Sequence, residues 1–421
     1  MTTKSTINTK DIAIVVGVGL KSESFAELKE SLAELEELCD SAGAEVVGSA
    51  VQTVQSYHPA TLLGTGKVQE IAEMVIELHA TMVVIDHKLS GVQSRNLEKE
   101  LNCKVLDRAQ LILDIFAQRA STYEGKLQVE LAQMLDMMPR QIGAWQGSLS
   151  RQAGGIGTRG PGESALEIDR RRIRERIKLI KEKLEKVRKS RSQHRHLRKK
   201  QRIPSFALIG YTNTGKSTLL NILTKSDVFA KDQVFATLDP TTRQVHLPEL
   251  GTAVVTDTVG FIRKLPTHLI EAFKATLEES AEADVLLHVI DLSNPSMNQQ
   301  IDTVQKLIEE FGWSQKPIVY VFNKIDLASP EMKFKIQVTP RVFISAKTGE
   351  GIEKLKTLMI EQCQTTLQEE VELFFPKDQE YKIYELGKES KIYKTEPATQ
   401  GTLCIVSLTP ELKSKWSKFL V

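Results

Sequence analysis

The chain has 421 residues, 41% hydrophobic and 26% charged, a composition of soluble globular proteins and a length for about two to four domains. No run of about eighteen apolar residues occurs and the first residues lack a signal-peptide profile, so neither a membrane-spanning nor a secreted protein is expected. The net charge of +2 hides one asymmetry: residues 170–202 hold seventeen Lys or Arg against three Glu, a balance of +14, which leaves −12 on the rest.

The four cysteines, Cys39, Cys103, Cys363 and Cys404, are scattered without a CxxC pair. They read as reduced thiols of a cytoplasmic chain, not as a disulfide or zinc framework.

Residues 1–120 read as a small N-terminal α/β domain. IAIVVGV, AEVVGSAV, TMVVIDH and CKVLD are apolar, β-branched runs that predict strands. SFAELKESLAELEELCDSAG, KVQEIAEMVIELHA and RAQLILDIFAQRA repeat apolar residues at helical spacing. Gly43 stands where a helix ends in the left-handed region. Strand–helix alternation predicts a mainly parallel sheet.

Residues 121–202 predict a long antiparallel helical hairpin. Leu127, Leu131, Met134 and Met138 recur at spacings of four, three and four, and Ile173, Ile177, Ile180, Leu184 and Val187 follow the same alternation. The link at 143–163 has seven glycines and no apolar run, so it is expected to project as a flexible loop. It carries Trp145, Arg151 and Arg159. The rod at 170–202 follows. Pairing within the helix cannot neutralise its charge excess, which favours contact with RNA backbone over plain solvation.

Residues 203–368 alternate strand and helix around a set of motifs. In GYTNTGKST, Gly210, Gly215, Lys216 and Ser217 fit G-x-x-x-x-G-K-[ST], between the strand-like FALI and the helix-like STLLNILT. Glycines let successive backbone N–H groups curl around phosphate oxygens, and the helix N-terminus adds positive potential. Lys216 can reach the β- and γ-phosphates, and the Ser217 hydroxyl can ligate Mg²⁺.

Three later stretches select the nucleotide. TAVVTDTVG places Asp257 at a strand end, followed by Thr258, Val259 and Gly260. The carboxylate suits a metal held through water, and the Gly260 N–H suits the γ-phosphate. PIVYVFNKID places Asn323, Lys324, Ile325 and Asp326 after another strand, and the Asp326 carboxylate can accept from guanine N1 and N2, donors that adenine lacks in that arrangement. RVFISAKTG supplies Ser345, Ala346 and Lys347, whose backbone suits guanine O6. Four motifs in order point to a GTPase. Thr237, Thr241 and Thr242 are all candidates for the first switch.

These stretches, with FATLDPTTR, DTVGFI, the loop GGIGTRGPGE and the N-terminal LLGTGKVQEI, resemble the HflX family of ribosome-associated GTPases over nearly the whole chain. The resemblance implies large-subunit binding through rRNA, splitting of stalled ribosomes and a role in stress recovery. A monomer is expected. It implies Mg²⁺ at Ser217 and Thr237. It extends the nucleotide contacts to Tyr211, Thr212, Asn213 and Thr214 in the phosphate loop and to Phe235, Ala236, Leu238 and Asp239 around Thr237. It places the hairpin loop near the peptidyl-transferase region. An rRNA-binding assembly or hibernation factor with incidental hydrolysis is the alternative. Phe261 stands where many small GTPases carry a water-orienting Gln. No residue is therefore assigned as catalytic; a partner's RNA or a bound ion would supply that group.

Residues 369–421 read as a short α/β domain: VELFFP, a polar turn region, KIYKTE, GTLCIVSL and a helix from Pro410. Tyr384 and Tyr393 read as packing residues. LGTGKVQE lacks the full phosphate-loop spacing and reads as a helix-start turn with Lys67 at its first position. His194 and His196 read as solvated or phosphate-facing, not as metal ligands.

Overall fold

Strand β1 (Ile12–Leu20) is buried along nearly its whole length. Such an unbroken apolar run needs cover on both faces, which a parallel sheet flanked by helices supplies. The computed structural model describes residues 10–149, 165–200, 203–224, 241–248, 250–264, 269, 280–367, 369–408 and 410–421.

The N-terminal region continues with α1 (Phe25–Ala42), β2 (Glu45–Val54), α2 (Thr65–Glu77), β3 (Met82–Ile85), α3 (Gly91–Leu101), β4 (Lys104–Asp107) and α4 (Arg108–Arg119). All four strands are parallel, in the order β2-β1-β3-β4. Gly43 has φ 87°, and the N–H groups of Gly43 and Ala44 close the last turn of α1 onto Asp40 and Cys39. Helix α3 has a weak apolar pattern and was not expected. A capping box between Ser90 and Gln93 starts it, and Leu97 and Leu101 bury its inner face. Helix α2 begins at Thr65 with Gly64 as N-cap, so Lys67 is its third residue, paired with Glu70 at 2.6 Å.

Helices α5 (Tyr123–Leu149) and α6 (Ala165–Lys200) pack along the expected stripes. Leu127, Leu131 and Ile180 are buried, and Met134, Ile177 and Leu184 lie half-buried against them. Residues 143–149, expected in the loop, instead extend α5. Good helix formers such as Ala144, Gln146 and Leu149 carry the helix past Gly143 and Gly147, because single glycines cost only about 1 kcal/mol each. The remainder of the expected loop, with Arg151 and Arg159, lies outside the described residues, as do the side chains of Trp145, His194 and His196.

The third region holds β5 (Ser205–Ile209), α7 (Lys216–Thr224), β6 (Thr241–Leu247), β7 (Gly251–Asp257), β8 (Val285–Asp291), α8 (Met297–Glu310), β9 (Ile318–Asn323), α9 (Pro330–Phe334), β10 (Arg341–Phe343) and α10 (Ile352–Leu367). Its sheet runs β10-β9-β8-β5-β7-β6, parallel except for the edge strand β6. One apolar cluster runs from Leu35 and Leu38 of α1 through Leu131 and Ile180 of the hairpin to Ile209, Phe261 and Ile262.

The C-terminal region has β11 (Glu369–Pro376), α11 (Tyr381–Glu389), β12 (Lys391–Ala398), β13 (Gly401–Leu408) and α12 (Pro410–Lys415). The sheet is antiparallel, β11-β13-β12, and Phe375 stacks on Phe419 beside Trp416. The stretch expected as a polar turn contains α11, whose Leu386 is buried. Tyr384 and Tyr393 are not packing residues: they are 72% and 50% exposed. Helix α11 turns Ile383 and Leu386 inward, which sends Tyr384 out under Lys388, 4.4 Å from its ring centre.

Candidate nucleotide site

Strand β5 lies at the centre of the sheet and ends at Ile209, and α7 begins at Lys216. The six residues between them must turn sharply over the sheet edge. Gly215 does so at φ 89°, and a Cβ there would stand 2.4 Å from Asn323 Nδ2. Asn213 also adopts the left-handed region, at φ 58°, which Asn tolerates. Thr214 is buried, and its hydroxyl donates to the Tyr211 carbonyl at 3.0 Å.

Lys216 is buried, and its ammonium donates to the carbonyls of Gly210 and Tyr211 at 3.2 and 2.6 Å. Burial pushes its pKa down to about 8, against the opposing pull of Asp257. The Ser217 hydroxyl donates to Asp257 Oδ2 at 2.6 Å. A hydroxyl and a carboxylate meeting at a helix N-terminus form an all-oxygen donor pair of the kind a hard divalent cation takes. Among the described residues no group of three or more His, Cys, Asp or Glu converges on one point. Thr237, with Phe235, Ala236, Leu238 and Asp239, lies outside the described residues.

The segment after β7 is pinned to the phosphate loop. The Phe261 N–H donates to the Gly210 carbonyl at 3.0 Å, and the Thr212 N–H donates to the Phe261 carbonyl at 2.8 Å. The Thr258 hydroxyl is buried and donates to the Leu208 carbonyl at 2.7 Å. Val259 and Phe261 are buried in the apolar cluster, so the Phe261 ring points into the core. That position orients no water.

Strand β9 delivers Asn323 between two loops. Its Nδ2 donates to the Thr214 carbonyl and its Oδ1 accepts from the Ala346 N–H, both at 2.8 Å. The Ile325 N–H donates to the Ile344 carbonyl at 3.2 Å. Lys324 pairs with Asp291 at 2.8 Å, while Asp326 is exposed beside it. Ser345 is buried, and its hydroxyl accepts from the Thr348 N–H at 3.1 Å; Lys347 is exposed. The fold thus gathers the phosphate-loop, DTVG, NKID and SAK residues at the carboxyl ends of β5, β7, β9 and β10.

Three family models match along the chain: a GTP-binding GTPase N-terminal region over residues 29–117, a GTP-binding GTPase middle region over 119–198 and a 50S ribosome-binding GTPase over 205–324. The GTPase HflX of Caldanaerobacter subterraneus subsp. tengcongensis is 43% identical over 420 residues, 98% of this chain and 94% of that protein. The chain belongs to the HflX family of GTPases. The HflX proteins of Lacrimispora saccharolytica and Escherichia coli are 50% and 48% identical, over 82% and 79% of both chains respectively. Like its HflX relatives, it binds guanine nucleotide and hydrolyses GTP. Among the described residues no helix is long and apolar enough to cross a membrane.

Two features of this HflX site were not anticipated. His288 of β8 lies buried within the sheet, paired with Ile209 and Tyr320 across the strands, and its Nδ1 has no hydrogen-bond partner. Burial and then the Lys216 charge push its pKa down to about 3, so it stays neutral. A lone His in an apolar run gives no sign of this. The second is Tyr211, whose hydroxyl donates to Glu34 of α1. The two residues are 177 apart in sequence, beyond any spacing argument.

Proposed function

We propose that this GTPase is a nucleotide-controlled switch that docks on the large ribosomal subunit and splits or rescues stalled ribosomes under stress. The observation that carries this reading is helix α6. Its apolar stripe turns toward α5, and Arg174, Lys178, Lys183, Lys186 and Lys189 stand exposed along the helix. A cationic rod of this kind matches the phosphate backbone of rRNA. The family description of the GTPase domain as 50S ribosome-binding supports the same partner. The glycine-rich segment after α5 would enter RNA near the peptidyl-transferase region, where absent side chains admit close backbone approach.

At the nucleotide, Asp326 would accept from the guanine N1 and N2 groups, and the backbone at Ser345–Lys347 would face O6. The Ser217 hydroxyl, with Thr237 and with Asp257 through water, would hold Mg²⁺, a cation that neutralises charge developing on the phosphates. Lys216 would place its ammonium between the β- and γ-phosphates. The Gly260 N–H would meet the γ-phosphate. The protein would act as a cytoplasmic monomer.

The test is sedimentation with ribosomal subunits under a GTP analogue, GDP and no nucleotide, paired with light scattering of intact ribosomes. Nucleotide-dependent binding to the large subunit and loss of scattering are expected. Binding without splitting would favour an assembly or hibernation factor.

A further inference from the structure

Strand β2 ends its sheet without the usual protection. In the order β2-β1-β3-β4 it pairs with β1 alone, and among the described residues no other backbone bond reaches Ser49, Val51 or Thr53. The shift of register at Val47 disturbs only its start, so Gly48–Val54 runs on as the regular stretch GSAVQTV, with no charge and no proline. The one charged residue of the strand, Glu45, precedes the shift and pairs with Lys10 at 3.6 Å. A long, uncharged edge of β-forming residues is a template for another strand.

The other sheet edges are blunted. Strands β4 and β10 are four and three residues long and begin at Lys104 and Arg341. Strand β6 exposes Arg243 and His246. Strand β12 carries a bulge after Ile392, then the exposed Lys394 and Pro397. Strand β11 is covered by the last residues of the chain, where the Val421 N–H donates to the Glu372 carbonyl at 3.1 Å. Shortness, charge, proline and cover are the ordinary means of protecting an edge, and Gly48–Val54 has none of them.

The apolar flanks of β2 also stay open. Val46 and Val51 lie only half-buried on the α1 face, and Val47, Val54, Met74 and Leu78 on the α2 face. The end of α2 sits close over this edge: a Cβ at Gly48 would stand 2.9 Å from Leu78 Cδ1 and 3.1 Å from Met74 Cε.

The backbone of β2 points to its partner. Val54 turns its carbonyl toward β1, where the Lys21 N–H meets it at 2.9 Å. Backbone groups alternate sides along a strand, so Ser49, Val51 and Thr53 turn theirs away from β1. These residues are symmetric about Val51. A second β2 laid antiparallel, with the two-fold axis at Val51, sets Val51 against its own copy and Ser49 against Thr53 on both sides. Each pair exchanges N–H and C=O groups, the valines touch and the hydroxyls meet. Glu45 then falls opposite position 57, past the strand end at Val54, so no like charges meet. A contact of this kind closes on itself, and the joined sheet ends on the short β4 of each copy.

We propose that two copies of this chain pair in free solution through β2, antiparallel and centred on Val51. The pairing residues belong neither to the phosphate loop nor to α6, and the separated monomer remains the form that docks on the subunit. One strand pair is a small interface, so a Kd on the order of 10 µM is expected.

The experiment uses the full chain without ribosomes. Sedimentation velocity from about 1 to about 100 µM should show a monomer passing into a dimer. Val51→Lys sets two like charges opposite each other, and Thr53→Pro removes an outward N–H that the fold itself does not use. Each should weaken association by about tenfold or more and leave fluorescent-GDP affinity at the parent value. Thermal melting checks folding, and Thr53 is exposed, so Thr53→Pro decides the matter if Val51→Lys fails to fold. Register is read by mild oxidation. Val51→Cys should form a disulfide-linked dimer, because facing residues of such a pair have Cα atoms about 5.5 Å apart. Thr53→Cys should not, because its own copy lies about 14 Å away at a rise of about 3.4 Å per residue. The parent controls for its own thiols, among which only Cys103 is not buried. A parent that stays monomeric overturns the proposal and leaves the edge to a strand of another protein. A dimer that survives both Val51→Lys and Thr53→Pro, or that cross-links equally through Thr53→Cys, overturns it as well.

Discussion

Asn323 accepts a 2.8 Å hydrogen bond from the Ala346 N–H, and with its other side-chain atom holds the Thr214 carbonyl. One buried amide therefore ties the base-side loop to the phosphate loop. Asn323→Ala leaves two buried backbone groups without partners, a cost of about 1–3 kcal/mol each. Expected outcomes are a lower melting temperature and at least about a tenfold loss of GDP affinity, measured by fluorescent-nucleotide titration. Wild-type affinity in this variant would show that the two loops hold their places independently.

Asp326 is exposed next to Asn323, where a bound base would lie. Asp326→Asn replaces an acceptor by an amide that suits the changed edge of xanthine. GTP affinity should fall by about tenfold or more, since hydrogen bonds to a charged group contribute about 1.5–3 kcal/mol. XTP should then compete better than GTP. Unchanged preference for GTP in a competition titration removes Asp326 from base recognition.

Lys216 has its pKa held down to about 8 by burial. Phosphates favour its charged form, so binding near pH 8 should draw a proton onto the protein. Calorimetry of GDP binding in buffers of different ionisation enthalpy should show proton uptake, rising from pH 7 to pH 8.5. Affinity should fall as pH rises through about 8. Buffer-independent enthalpy at pH 8 contradicts this.

His288 is neutral in the fold with its pKa at about 3, well below its ordinary value of 6.5. The unfolded chain binds the extra proton between those values, so stability is present above pH 6.5 and is lost as pH falls. His288→Leu removes a buried polar atom that lacks a partner. The variant should be as stable as the parent at pH 7.5, within about 1 kcal/mol, and lose less stability between pH 6.5 and 4.5. Parallel denaturation curves for both proteins across that range would rule out the histidine as a source of acid sensitivity.

Lys178, Lys183 and Lys189 are exposed on α6. Changing all three to Gln should weaken large-subunit binding and reduce the slope of log affinity against log salt by about one per lost phosphate contact. Nucleotide binding without ribosomes should stay the same. An unaltered salt slope would place the rRNA contact elsewhere.

Local chemistry was legible in the chain. The phosphate loop, DTVG, NKID and SAK each stand at a strand end because apolar β-branched runs bounded by glycine or polar residues have one stable local reading. The hairpin stripes and the Gly43 cap were legible for the same reason. Helices α3 and α11 were not, since capping and tertiary burial of one or two leucines, not periodicity, hold them. The extension of α5 through 143–149 shows glycine content overriding helix propensity as a signal when it should not.

By itself the sequence determined the guanine-nucleotide motifs, the order of most of the elements and the basic character of α6, because those depend on residue type and spacing over short stretches. Only the tertiary structure decided the meeting of Glu34 with Tyr211 and of Asp86 with Lys264, the burial of Phe261 away from the phosphates, and the exposure of Tyr384. These depend on which faces of distant segments come together. Charged residues such as Glu34 and Asp86 carry no mark of burial in the sequence: Arg108, 74 and 22 residues away, pairs with both, and Tyr211 and Lys264 reach them from 177 and 178 residues away.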